Sequence, residues 1–297
     1  MGPRNFCDEG LVCERRCGNV VPHKLLEPDR VAGQPLPPAH NTTLRMTHAE
    51  GRAWYSALMQ ARRYLEWGAG GTTILAAWRA IHPALPPLEA HTIESSQAFL
   101  DQLRDLQLVR TAEAQAAVSP RSTCGYANGI GCGTGSSGLT LHVGNLGTLA
   151  LRGWGAPAKD WASRPVDMRI AQARSYVVRP STDPAGMCCF DTILIDGRFR
   201  LACALQALRL SHAHTRVMVH DFHTLFQKRG GLLHRGRGAD GKSRRGGSYA
   251  NITLYYDALQ RVDTLAVLRP KLAALTMAKQ SDWRFEEALR SALDDPS

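Results

Sequence analysis

Four short phrases in this chain of 297 residues combine acids with residues that let a backbone turn. Glu66-Trp67-Gly68-Ala69-Gly70-Gly71 places a carboxylate before three glycines. Ile93-Glu94, Ile195-Asp196-Gly197 and Val219-His220-Asp221 each end an apolar run in an acid. A carboxylate before a short glycine turn suits a ligand with a cationic end, because glycine lets the backbone approach without a Cβ in the way. Asp196 and His220 are residue types that take up a proton from a reacting group, with Asp221 beside them. Arg198 and Arg200 follow Asp196-Gly197; they could clamp a carboxylate or phosphate, or simply start a solvated helix.

The glycine turn follows a short apolar strand ending at Tyr64-Leu65. It precedes a helix over 73–81, with Thr72 or Thr73 as cap and Ile74, Leu75, Ala77, Trp78 and Ile81 at helical spacing. A helix over 47–61 carries Trp54, Tyr55, Leu58 and Met59 at the same spacing. Strands are expected at 90–94, 139–144, 189–197, 216–219 and 264–268. A helix with Phe99, Leu100, Leu103 and Leu106 on one face follows Ser95-Ser96. Residues 166–178 read as a mixed helix-to-strand stretch, and 249–259 as a helix. Strands alternating with helices imply an α/β fold: a doubly wound, mostly parallel sheet with helices on both faces. In such sheets ligands bind outside the carboxyl ends of the strands, where all four acidic phrases fall.

The expected organisation is an irregular appendage over 1–45, a Rossmann-like domain over 46–272 and a helical tail over 273–297. Glycine-rich insertions are expected near 120–138 and 227–247. A loop carrying Trp154 and Trp161 is expected over the site. Composition allows a large core, with 44% hydrophobic residues. No apolar run approaches the length of a membrane span, and no secretory signal is visible at the N-terminus. A cytoplasmic location is the default, with a secretory lumen the alternative if the N-terminus is truncated. The net charge of +10 is mostly local: residues 227–247 hold seven Lys and Arg against one Asp. The eight cysteines lack paired C-x-x-C spacing, so a zinc site has little support, although Cys7, Cys13 and Cys17 cluster. Asn41-Thr42-Thr43 and Asn251-Ile252-Thr253 match the glycosylation sequon.

Glu66-x-Gly68-x-Gly70 resembles the first motif of class I S-adenosylmethionine-dependent methyltransferases. It differs from the dinucleotide fingerprint, which has a third, later glycine and an acid about 20 residues further on. The resemblance extends over about residues 47–270. It implies S-adenosylmethionine as cofactor, with Glu66, Gly68, Gly70 and Gly71 passing under its amino-acid part and Glu94 accepting the ribose hydroxyls. Phe190-Asp191-x-Ile193-Leu194-Ile195-Asp196-Gly197 and Val219-His220-Asp221 resemble the corresponding strand ends of small-molecule O-methyltransferases. In metal-dependent members, acids matching Asp196 and Asp221 hold a divalent cation such as Mg. This chain has Phe222 where catechol-type members have an asparagine ligand, and Arg198 stands where many relatives carry a histidine nearby. The implied function is methyl transfer to a small-molecule or glycan acceptor, with Asp196, His220 and Asp221 as catalytic residues and Arg198, Arg200 and Trp154 as acceptor contacts. The alternatives are a non-catalytic relative, or nucleic-acid binding through Arg229-Gly230-Gly231 and Arg245-Gly246-Gly247, which would weaken steeply with salt.

Residues 227–247 are charged, glycine-rich and poor in apolar side chains, so they bring little burial to folding. A chain lacking them should keep its thermal unfolding midpoint, as followed by circular dichroism.

Overall fold

The computed structural model describes residues 44–118, 137–144, 146, 163–178, 190–222 and 252–294. Both glycine-rich insertions, the Trp154 loop, both sequons' asparagines and all the cysteines except Cys203 lie wholly or almost wholly outside them. Helix α1, His48–Gln60, leads into strand β1, Arg63–Trp67. Helix α2, Gly71–Ile81, then β2, Glu89–Glu94, helices α3, Gln97–Arg104, and α4, Gln107–Val118, and β3, Gly138–Val143, follow. The second half runs α5, Val166–Val177, β4, Phe190–Ile195, α6, Arg200–Arg209, and β5, Ser211–Val219. It closes with α7, Ile252–Tyr255, β6, Tyr256–Val262, β7, Leu265–Pro270, α8, Leu272–Lys279, and α9, Trp283–Leu293.

The seven strands form one sheet in the order β3-β2-β1-β4-β5-β7-β6. Strands β1 to β5 pair in parallel, and β7 runs antiparallel to both β5 and β6. This is the doubly wound, mostly parallel, Rossmann-like α/β fold that the alternation of elements implies. The chain winds outward from β1 through β2 to β3, then returns to start β4 on the other side of β1. The switch point of the sheet therefore lies between β1 and β4.

Side-chain alternation explains why the central strands are apolar throughout. Leu194 of β4 faces a core layer with Trp54 and Leu58 of α1, Ala76 of α2, Leu100 of α3 and Val109 of α4. Ile193 and Ile195 face the opposite layer with Tyr176 of α5, Leu205 of α6, Leu275 of α8 and Phe285 of α9. A parallel sheet covered on both faces needs apolar residues at successive positions. The C-terminal segment, expected as a helical tail, forms α8 and α9 and buries Leu275, Phe285, Leu289 and Leu293 in that second layer.

Three local expectations are corrected. Residues 256–262 form strand β6 rather than a helix; its side chains are mostly exposed, so no apolar alternation betrays it, and pairing with β7 makes it a strand. Residues 166–177 are helical throughout. Strand β5 begins five residues before the apolar stretch at 216–219, because buried Ser211, His212 and Thr215 satisfy one another and the backbone. Thr215 Oγ1 donates to the Phe190 carbonyl at 2.7 Å and accepts from the His212 amide at 2.9 Å.

At the amino ends of β1 and β2, in-register Arg63 and Glu89 form a two-pronged ion pair, with Arg63 Nη2 2.9 Å from Glu89 Oε1. His91 adds a contact to the same oxygen at 2.9 Å. Burial alone would raise the Glu89 pKa; the His91 hydrogen bond and the Arg63 charge outweigh it and bring it down to about 2. A depressed carboxyl contributes its stability above its ordinary pKa and loses it as pH falls through the folded value. Stability should therefore decline between pH 4.5 and about 2. In E89Q, urea titrations across that range should show a flatter pH dependence and lower stability at neutral pH.

Candidate functional site

The glycine turn rests on a buried carboxylate. Glu66 is fully buried between β1, β2 and α2. Its Oε1 accepts from Thr73 Oγ1 at 2.5 Å and Thr92 Oγ1 at 2.7 Å, and its Oε2 from Tyr64 Oη at 2.7 Å. Trp54 Nε1 in turn donates to Tyr64 Oη at 3.1 Å. Burial raises the Glu66 pKa, and the hydroxyls around it work the other way. Thr73 also accepts from the Gly70 amide at 2.9 Å, so the carboxylate holds the turn through Thr73. Glu66 was expected to meet the cationic end of a ligand. The structure turns it inward, because its neighbours Tyr64, Thr73 and Thr92 all offer hydroxyls on the face of the sheet covered by α1 and α2.

Backbone hydrogen bonds beyond the strands align the four strand ends. The Gly68 amide donates to the Ile93 carbonyl at 2.8 Å, Asp196 to Trp67 at 2.9 Å and His220 to Ile195 at 3.0 Å. Gly68 has φ +96°, and a Cβ there would stand 2.8 Å from the Gly197 nitrogen and 2.9 Å from the Asp196 carbonyl carbon. On Gly197 a Cβ would strike the Tyr176 hydroxyl. The two glycines thus let the β1 and β4 loops meet at the switch point. A Cβ on Gly70, by contrast, would meet nothing within 4 Å among the described residues beyond its chain neighbours. Gly71 is the first residue of α2.

Glu94 joins the glycine turn to the next strand. Its Oε2 accepts from the Ala69 amide at 3.0 Å, and its Oε1 from the Ser95 amide and hydroxyl and the Ser96 amide at 2.6–2.9 Å. A carboxylate has about four acceptor positions, so Oε2 with one amide has capacity for a ligand hydroxyl. Arg198 lies close enough to Glu94 and Tyr176 for both to favour its charge, against burial that lowers its pKa.

Asp196, His220 and Asp221 form the second half of the site, with one ligand atom of each lying within 4.8 Å of the others. His220 Nδ1 is 2.8 Å from Asp196 Oδ1, and its Nε2 faces Glu50 Oε2 at 3.6 Å. Burial disfavours the imidazolium, but the hydrogen bond and charge of Asp196, with Asp221 and Glu50, raise the His220 pKa overall. Arg200 Nη2 stands 3.2 Å from Asp221 Oδ2 and 3.9 Å from Asp196 Oδ1. Asp221 itself adopts φ +50° in the turn after β5. The structure thus gathers Gly68, Gly70 and Glu94 at adjacent strand ends, and Asp196, His220, Asp221 and Arg200 beside them. Trp154 lies outside the described residues.

No protein-family model matches the chain, and none of the curated proteins matches it. Solved structures are similar to it. One is a methyltransferase-like protein from Silicibacter pomeroyi, 22% identical, with a TM-score of 0.41, covering 80% of this chain and 96% of its own. A proposed O-methyltransferase from Klebsiella pneumoniae is 17% identical with a TM-score of 0.38, over 89% of this chain and 96% of its own. The O-methyltransferase from Bacillus cereus in complex with SAH is 16% identical with a TM-score of 0.36, over 88% and 97%. The likeness is to methyltransferase-like proteins.

Glu50 was not singled out as a site residue, although Thr47-x-x-Glu50 is a capping-box signature legible in the sequence. The box forms: Glu50 Oε2 accepts from the Thr47 amide at 2.8 Å and Thr47 Oγ1 from the Glu50 amide at 3.2 Å. The same carboxylate accepts from the Thr264 amide at 2.7 Å and hydroxyl at 2.6 Å, between β6 and β7. Burial works to raise its pKa, but Thr264, Thr47 and His220 lower it. Nothing local in the sequence announces that this cap backs His220, because the contact spans 170 positions. Tyr176 is similar: its ring packs on Gly144 and its hydroxyl on Gly197, from a helix far along the chain.

Alanine at Gly68 would combine a positive φ with backbone overlap against Asp196-Gly197. Strain of this kind costs about 1–3 kcal/mol. Gly68→Ala should lower the unfolding free energy by that order, while Gly70→Ala, whose Cβ meets open space, should be far milder; paired urea titrations would show the contrast.

Proposed function

We propose that this chain is an S-adenosylmethionine-dependent methyltransferase acting on a small-molecule or glycan acceptor. One observation carries the reading most: the Ala69 amide of the glycine turn is hydrogen-bonded to Glu94 at the adjacent strand end, beside the open face of Gly70. A turn with a free side, linked to a carboxylate with unused acceptor capacity, fits a ligand with a compact polar end and a pair of hydroxyls. The sulfonium cofactor would supply an already activated methyl group. Glu66 would keep the turn in shape, and Glu94 would accept the ribose hydroxyls.

The chain's own chemistry then reduces to placement and proton removal. Asp196 is only partly buried and sits beside the glycine turn, since its backbone meets Gly68. An acceptor hydroxyl bound there would pass its proton to the Asp196 carboxylate. That oxygen would then be the nucleophile for the methyl group that the cofactor would supply, with the sulfur as leaving group. His220, held between Asp196 and Glu50, orients that carboxylate.

A divalent metal is a poorer fit. Asp196, His220 and Asp221 are suitable donors by type. Both ring nitrogens of His220 face carboxylates, however, and Arg200 lies against Asp221 and Asp196.

Calorimetry should show binding of S-adenosylmethionine and S-adenosylhomocysteine and none of NAD; binding of NAD alone would overturn the cofactor reading. Asp196→Asn should retain cofactor binding and fold. Its transfer rate, once an acceptor is found by screening with labelled cofactor, should fall by about 10²–10⁴, the usual loss on removing a positioned acid–base group. Full activity in that variant would move the base elsewhere.

A further inference from the structure

The carboxylates that a divalent cation would need are already served by a cation of the chain. We propose that the Arg200 guanidinium is the resident positive charge of the Asp196–Asp221 crevice and excludes a divalent metal from it. The exclusion does not depend on the methyltransferase reading; only its consequence, transfer without a metal, rests on that reading.

Three features carry the inference. The first is position. Arg200 Nη2 is in ion-pair range of both carboxylates, 3.2 Å from Asp221 Oδ2 and 3.9 Å from Asp196 Oδ1. A metal ion bridging these oxygens would stand within a few ångströms of the guanidinium, where like charges repel strongly in a partly desolvated site.

The second is how the chain puts Arg200 there. Phe199, buried and with φ +52° in the left-handed region, turns the backbone into α6, and Arg200 is the first residue of that helix. A cation in the first turn opposes the helix dipole. No acid occupies the first turn of α6 to offset this, so the compensation comes from Asp196 and Asp221 across the crevice. The arginine side chain is largely enclosed, 19% exposed, which opposes its swinging out to admit an ion.

The third is the histidine. His220 Nδ1 is spent on Asp196 at 2.8 Å, and Nε2 points to Glu50 at 3.6 Å. A metal would have to displace one of these two carboxylate contacts to gain a nitrogen ligand. A guanidinium also matches carboxylates by shape, through a planar fork of donors that remains charged at any working pH. Arg200 therefore sets one fixed positive charge between the two acids, hydrogen-bonded to Asp221 and within ion-pair range of Asp196, while the His220 hydrogen bond orients Asp196.

The test is Mn²⁺ titration of the full chain without cofactor, followed by electron paramagnetic resonance, with Mg²⁺ calorimetry alongside. Wild type should show no metal binding that depends on Asp196, so D196N and wild type should give the same isotherm. R200Q, checked for folding by circular dichroism, should gain a Mn²⁺ site, and R200Q combined with D196N should lose it. R200K, which keeps a cation, should remain without one. Metal binding by wild type that D196N abolishes would overturn the proposal, as would a folded R200Q that takes up no Mn²⁺. Should R200Q not fold, the comparison of wild type with D196N decides alone, because Asp196-dependent binding refutes the exclusion and its absence supports it. Loss of cofactor binding would strike the methyltransferase reading and leave these metal isotherms unaffected.

Discussion

The glycine turn depends on a fully buried carboxylate. Glu66 sits in the core with hydroxyls from Tyr64, Thr73 and Thr92 on it. Burying a polar group without partners costs several kcal/mol, so this arrangement is tolerable only because each oxygen is satisfied. Thr73 carries the consequence outward, since it also accepts from the Gly70 amide and so sets the turn at the start of α2. The open face of the turn then lies beside Glu94, itself bonded to the Ala69 amide. A buried acid thereby shapes a surface loop through one intermediate side chain.

A second constraint acts at the switch point of the sheet. The chain must leave β1 in one direction and β4 in another, and the two loops still touch. Glycine at 68 and 197 permits the approach, and Tyr176 closes over it. The close packing leaves Asp196 beside the turn, one residue beyond the last paired position of β4. Around Asp196 the charges interlock: His220 between Asp196 and Glu50, Arg200 between Asp196 and Asp221. Each group satisfies a neighbour's charge, which is how several ionisable groups can share a half-buried space.

Much of this was legible as sequence. Apolar strands ending in acids and the glycine turn mark the ends of β1, β2, β4 and β5, because these signals are local; the helix after the turn starts at Gly71 rather than 73, with Gly70 at its N-cap and Thr72 and Thr73 inside its first turn. The edge strand β6 was not legible, since its exposed side chains show no alternation and its partner defines it. Helix α4 carries little sequence signal for a related reason: only Val109 and Ala112 among its residues are buried.

The alternation of strands and helices, the apolar continuity of the central strands and the acids at their ends can be read along the chain, because each depends on residues a few positions apart. The surroundings of those acids come from the assembled fold. Glu66 faces inward because Tyr64, Thr73 and Thr92 surround it there, and Glu94 bridges two loops because β1 and β2 are adjacent. Glu50 stands behind His220 because α1 packs near the ends of β5 and β7. Arg200, read from the sequence as a ligand clamp or a solvated helix start, instead lies against Asp221 and Asp196 because the left-handed turn at Phe199 aims α6 at the crevice. A carboxylate or guanidinium takes its role from the charges around it, and those neighbours come from segments far apart in the chain.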